Sequence, residues 1–137
     1  MSDIQLFESL GLSKEPRRVL VVEDFRPALL GVTKRLEEYG HSVTPVLGIS
    51  MLQPTKATGI GIDGPVSLQF ADFNYAFLDY YFLGGITNGG KLTEVLVAFP
   101  QLSVIGMSSS GNANAEMERA GARLVMRKPL LLAELHL

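Results

Sequence analysis

The stretch Val19-Leu20-Val21-Val22-Glu23-Asp24 decides the fold. An unbroken apolar, largely β-branched run with no polar alternation suits a central strand buried on both faces of a sheet. It passes directly into two carboxylates. Pro27 then opens a helix with Leu29, Leu30 and Leu36 among its apolar positions, and Gly40 stops it. Ser42 to Leu47 reads as a second strand, which Pro45 places at a sheet edge. Strand, acidic turn, helix and strand together make a right-handed βαβ unit.

Downstream the same alternation resumes. Tyr75-Ala76-Phe77-Leu78 is a short apolar strand that ends at Asp79. Lys91 to Phe99 reads as a helix, Ser103 to Met107 as a strand and Asn114 to Ala120 as a helix. Arg123 to Met126 is the last strand and Leu130 to Leu137 the last helix. Alternating strands and helices imply a parallel sheet covered on both faces. Between these two regions, Gly48 to Ser67 is broken by Gly59, Gly61, Gly64, Pro54 and Pro65, which argues against a regular helix. Asp63-Gly64, set between Ile60-Gly61-Ile62 and Val66-Ser67-Leu68, suits a hairpin turn. At the other end, Ile4, Phe7 and Leu10 fall at helical spacing, so a short amphipathic helix precedes a linker. The expected organisation is an N-terminal helix and linker over 1–16 and one α/β domain over 17–137.

Composition narrows the function classes. Apolar residues make up 47% and charged residues 19% of the 137, a globular balance. A net charge of −2 gives no electrostatic basis for nucleic-acid binding. With no cysteine, disulfides, thiolate catalysis and cysteine metal sites are excluded, and His41 and His136 are too few for a histidine-built metal centre. No stretch has the uninterrupted apolar run of a signal peptide or membrane span, so no membrane partner and a cytoplasmic location are expected.

In an open parallel sheet, ligands sit beyond the carboxyl ends of the strands. There the first strand delivers Glu23 and Asp24, the third Asp79, the fourth Ser108, and the fifth Lys128 before Pro129. Carboxylates so grouped suit a hard cation such as Mg²⁺, which keeps waters and needs few protein ligands. The cation offsets their repulsion and keeps Asp79 ionised as a nucleophile toward phosphorus. Ser108 and Lys128 can hold phosphoryl oxygens, and charge neutralisation is most of what phosphoryl transfer requires.

These tags, in this order, resemble the receiver domains of two-component response regulators. Val21-Val22-Glu23-Asp24 is similar to the family's acidic pair, and Phe77-Leu78-Asp79 to its phosphoacceptor strand end. Val104 to Ser109 resembles the segment bearing its Thr or Ser, and Gly121-Ala122 with Arg127-Lys128-Pro129-Leu130 its closing signature. The likeness runs over about residues 17–135 and is weakest between 48 and 74. It implies a flavodoxin-like, doubly wound, five-stranded parallel sheet with helices on both faces, plus the short N-terminal helix and an irregular insertion. It further implies that Asp79 accepts a phosphoryl group from a histidine kinase or phosphotransfer protein. Asp24 would hold Mg²⁺ directly and Glu23 through water, with Asp79 and the Tyr81 carbonyl completing the set. Any catalysis would be limited to the chain's own phosphorylation and dephosphorylation, and the output to contact with a downstream protein.

Several positions depart from the pattern. Glu23 stands where Asp is commoner, Val125 where the family often has Tyr or Phe, and Leu83 where the loop after the phosphoacceptor usually has Pro. The segment between the second and third strands is longer than the pattern, without a clear helix. A degenerate receiver serving as a phosphorylation-independent interaction module is the alternative these departures leave open. Gly59 to Gly64 satisfies G-x-G-x-x-G, but that motif needs a strand before it and a helix opening within it, which Pro54 and Pro65 deny. A small nucleotide-binding enzyme is therefore the weakest reading, and a glycine-rich turn the better account. Gly106 to Gly111 misses the spacing of a serine-hydrolase elbow. A phosphatase of the haloacid-dehalogenase type would want Asp where Tyr81 stands.

Overall fold

The computed structural model describes residues 15–127. The helix expected at Asp3 to Gly11, the Lys128-Pro129 pair and the last helix lie outside the described residues. In chain order the elements are β1 (Arg18–Val22), α1 (Arg26–Glu38), β2 (Ser42–Val46), β3 (Gly48–Leu52), β4 (Lys56–Gly61) and β5 (Gly64–Gln69). A 3₁₀ turn (Phe70–Asp72) follows, then β6 (Tyr75–Leu78), α2 (Gly89–Leu96), β7 (Ser103–Ser108), α3 (Gly111–Ala120) and β8 (Leu124–Arg127).

Five strands form one parallel sheet in the order β2-β1-β6-β7-β8, which puts the Pro45 strand at an edge, as its proline requires. The order reverses between β1 and β6, so the crevice where such folds bind ligands opens at the carboxyl ends of those two strands. Alternate residues of β1 serve opposite faces. Val19 and Val21 join Leu29, Val32 and Leu36 of α1, with Phe77, Ile105 and Met107. Leu20 and Val22 join Leu92 and Leu96 of α2 and Met117 of α3. The four residues from Val19 to Val22 are fully buried, which explains the unbroken apolar run.

Helix limits differ from the pattern-based reading for a local reason. Asn88 caps α2 by accepting from the Lys91 N–H (2.9 Å), and Ser110 caps α3 by accepting from the Ala113 N–H (3.2 Å). Both helices therefore begin ahead of their first strongly helix-forming residues. Gly40 (φ +89°) follows the end of α1 in the left-handed conformation that lets the chain leave the helix.

The expected insertion is a three-stranded antiparallel sheet, β3-β4-β5, covering the face shared with α2 and α3. The hairpin lies where Asp63-Gly64 suggested, with Gly61 opposite Gly64. β3 and the first half of β4 had no legible strand signal. Gly59, within the G-x-G-x-x-G match, lies in β4 against Val46, where a Cβ would come within 2.6 Å of Cγ1. Close approach between strand and sheet, not phosphate cradling, accounts for this glycine. Ile49, Ala57, Leu68 and Phe70 from this region are buried in the same cluster as Leu20 and Val22. The small sheet thus does the covering that a helix would otherwise do. Leu68→Ala is expected to destabilise the domain by about 2–5 kcal/mol, as for a full core position. Urea unfolding checks this; a loss near zero would mean that the small sheet is an appendage.

Candidate functional site

The registers of the main sheet assemble the site. Val22 of β1 pairs with Leu78 of β6, so the next residues, Glu23 and Asp79, emerge side by side. Leu78 pairs with Gly106 and Ser108 with Arg127, which brings Ser108 and the end of β8 to the same rim. Of the six residues expected at the site, Glu23, Asp24, Asp79, Tyr81 and Ser108 come to this rim by strand register and loop connection. Lys128 lies outside the described residues, one position beyond β8.

Glu23, Asp24 and Asp79 each place a carboxylate oxygen within 4.8 Å of the others. Glu23 is fully buried, Asp79 is 7% exposed, and Asp24 is open to solvent. Three carboxylates this close repel one another when ionised, and burial of two of them sharpens the effect. Oxygen donors of this type and spacing fit a hard divalent cation, so the rim can hold one.

Backbone hydrogen bonds fix the position of Asp79. The Asp79 N–H donates to the Val22 carbonyl (3.0 Å), and the Glu23 N–H to that of Val46 (3.0 Å). The Tyr80 N–H donates to Asp79 Oδ1 (2.8 Å), which holds one carboxylate oxygen in place. The Tyr80 carbonyl accepts from the Gly89 N–H (2.7 Å), tying the loop to the first turn of α2. Tyr81 is 70% exposed, its ring edge-on to that of Tyr80 at 4.7 Å.

Ser108 is 3% exposed, and its Oγ accepts from the Ser110 N–H (3.1 Å), so its own proton remains free to be donated elsewhere. Asn114 is a residue that sequence reasoning missed. Its Oδ1 accepts from the Ser108 N–H, and its Nδ2 donates to the carbonyls of Ser108 and Met126, each at 3.0 Å. A buried amide with every hydrogen-bonding group satisfied locks the end of β7 to β8, two residues before Lys128. The available signal was weak: a lone Asn on the buried face of α3, beside Ala113 and Met117.

Behind the rim, a cleft of about 330 Å³ between α2 and α3 is lined by Tyr80, Asn88, Lys91, Glu94, Glu116 and Arg119. There the Tyr80 hydroxyl donates to the Glu116 carboxylate. That hydrogen bond first, and burial second, push the Tyr80 phenol up to about 12. The folded value lies above the ordinary 10.0, so any stability from this proton is fully present below about pH 10 and is lost as pH rises toward 12. Among the four tyrosines, one phenol should therefore ionise late in an ultraviolet titration, and Tyr80→Phe should remove that component. A late phenol that survives the substitution would reassign the effect.

No protein-family model matches the chain, and no curated protein matches its sequence. Solved structures do match. The BeF3-activated DrrB receiver domain is 18% identical with a TM-score of 0.60, covering 89% of this chain and 96% of the other. A response regulator from Burkholderia pseudomallei, solved with a phosphorylated aspartic acid, calcium ion and citrate, is 16% identical at TM-score 0.58, covering 87% and 66%. The signal receiver domain of a modulated diguanylate cyclase from Desulfovibrio desulfuricans is 22% identical at TM-score 0.58, covering 89% of each chain. The chain has the fold of response-regulator receiver domains, with an added antiparallel sheet between the second and third strands of the parallel sheet. Among the described residues, no helix is long and apolar enough to cross a membrane.

Proposed function

We propose that this chain is a phosphoacceptor receiver domain in which Asp79 takes a phosphoryl group from a histidine kinase or phosphotransfer protein and the domain signals by protein contact. The observation that carries the reading is the convergence of Glu23, Asp24 and Asp79 within 4.8 Å at the switch point of a receiver fold. A carboxylate oxygen of Asp79 attacks phosphorus, the bond from phosphorus to the donor's nitrogen breaks, and an acyl phosphate forms on Asp79. The Tyr80 amide holds Oδ1 and so fixes the orientation of the carboxylate. Ser108 donates its free proton to a phosphoryl oxygen, and Lys128 supplies positive charge. Asp24, Asp79 and the Tyr81 carbonyl would hold Mg²⁺ directly, and Glu23 would support it through water. The ion supplies the charge neutralisation that this transfer requires.

Incubation with Mg²⁺ and acetyl phosphate should add one phosphoryl group by intact mass, and Asp79→Asn should abolish the addition while leaving the fold intact. Equal labelling of the variant would remove Asp79 from its role. A wild-type chain that takes no label would favour the phosphorylation-independent interaction module.

The metal assignment makes a separate demand. Asp24 is exposed and free to turn toward a cation, whereas Glu23 is held in the interior. Asp24→Asn should therefore weaken Mg²⁺ binding more than Glu23→Gln does in a calorimetric titration. The reverse order would exchange the two roles.

A further inference from the structure

The loop that follows Asp79 is stitched to the small sheet by backbone. The Leu83 N–H donates to the Leu47 carbonyl (3.1 Å), and the Ile49 N–H donates to the Leu83 carbonyl (3.0 Å). These two bonds make an isolated parallel bridge between Leu83 and Gly48, at the entry to β3. The next link runs inward, from the Leu47 N–H to the Ile60 carbonyl of β4 (2.7 Å). The Leu83 side chain is 47% exposed, so the amide and carbonyl make the attachment.

Two glycines allow the backbones to come this close. A Cβ on Gly48 would overlap the Leu83 carbonyl, and one on Gly84, which also has φ +111°, would overlap the Ile49 carbonyl. The loop is therefore pinned twice: to α2 through the Tyr80 carbonyl and Gly89, and to β3 through Leu83. Tyr81 lies on the short tether between these pins, and Asp79 directly precedes the first of them. A cation that binds through oxygen atoms of this tether depends on where the pins hold it.

We propose that Leu83 is a positioning residue through which the β3–β5 sheet sets the divalent-cation affinity of the Glu23–Asp24–Asp79 site. The inference rests on the metal-assisted reading above. Thermodynamic linkage makes the coupling mutual: if the seam favours cation binding, bound cation tightens the seam by the same factor. The small sheet then acts as the element that registers occupancy of the site.

The test measures Mg²⁺ affinity by titration, and amide exchange over residues 47–52 with and without Mg²⁺, on the full chain. Leu83→Pro deletes the donor N–H while keeping the carbonyl, and is expected to weaken Mg²⁺ binding about five-fold or more. Leu83→Ala keeps both backbone groups and should bind as the wild type does. Gly48→Ala opens the seam from the opposite side and should reproduce the proline effect, which covers the case of a proline variant that does not fold. In wild type and Leu83→Ala, exchange over 47–52 should slow when Mg²⁺ is added, and in Leu83→Pro it should not respond. Wild-type protein that binds Mg²⁺ with 47–52 unchanged would overturn the coupling, as would seam variants with wild-type affinity. Wild-type protein that binds no Mg²⁺ would instead remove the metal-assisted reading itself.

Discussion

The parallel pairing of β1 with β6 is the constraint on which the rest depends. Val19 to Val22 and Tyr75 to Leu78 are buried, with successive residues assigned to opposite faces. A slip of one residue would send each side chain to the wrong layer, so the register has no nearby alternative. That register puts Glu23 beside Asp79. Carboxylates repel, and nothing intrinsic to them favours this arrangement; the apolar ladder beneath them imposes it. Hydrophobic burial at roughly 1.5–3 kcal/mol per large side chain, summed over two such strands, can hold an unfavourable charge cluster at their ends. The strand ladder thus brings together carboxylates of a kind and spacing that suit a divalent cation.

The same ladder explains why an insertion can sit next to the site without disturbing it. β2 is an edge strand, and from its end the chain passes through Leu47 into β3 without crossing the sheet. A helix placed there would contact the main sheet through side chains. The antiparallel sheet makes contact through backbone as well, at Leu83, Leu47 and Ile60. Leu83 stands where the resembled receivers usually have proline. A proline has no N–H to give, and here that N–H is given to Leu47. Two departures from the family pattern, the glycine-rich insertion and the missing proline, therefore belong to one structural feature.

Much of this was legible in the sequence, and the remainder was hidden for identifiable reasons. The strands buried on both faces announce themselves as apolar runs, so Glu23, Asp24, Asp79 and Ser108 could be placed at strand ends, while their roles came from the resemblance to receiver domains. β3 and β4 were obscured because Gly48, Gly59 and Gly61 lower strand propensity where close approach demands a missing side chain. The starts of α2 and α3 were misplaced because Gly89-Gly90 and Gly111 are poor helix formers, carried by the Asn88 and Ser110 caps. Asn114 could not be read at all, since its partners are backbone groups of Ser108 and Met126, which leave no trace in residue identity.

The residues that would do chemistry and the groups that position them follow different rules. The carboxylates and hydroxyl are side chains at strand ends, fixed by residue type. Their placement is largely a matter of main-chain hydrogen bonds: Tyr80 on Asp79, Gly89 on Tyr80, Leu83 against Leu47 and Ile49, and the Asn114 amide on Ser108. These differ in what they can transmit. At β8, Val125 packs close to the Cα of Gly106, where an added Cβ would meet its Cγ1 at 3.0 Å, and a β-branched side chain is stiff at χ1. At Leu83 the contact is a pair of hydrogen bonds between an exposed residue and the backbone of buried Leu47 and Ile49, each contributing on the order of 1 kcal/mol. On the β3 side the rim is joined by main-chain hydrogen bonds, and on the β8 side by side-chain packing beside the Asn114 amide, so the two attachments differ in kind.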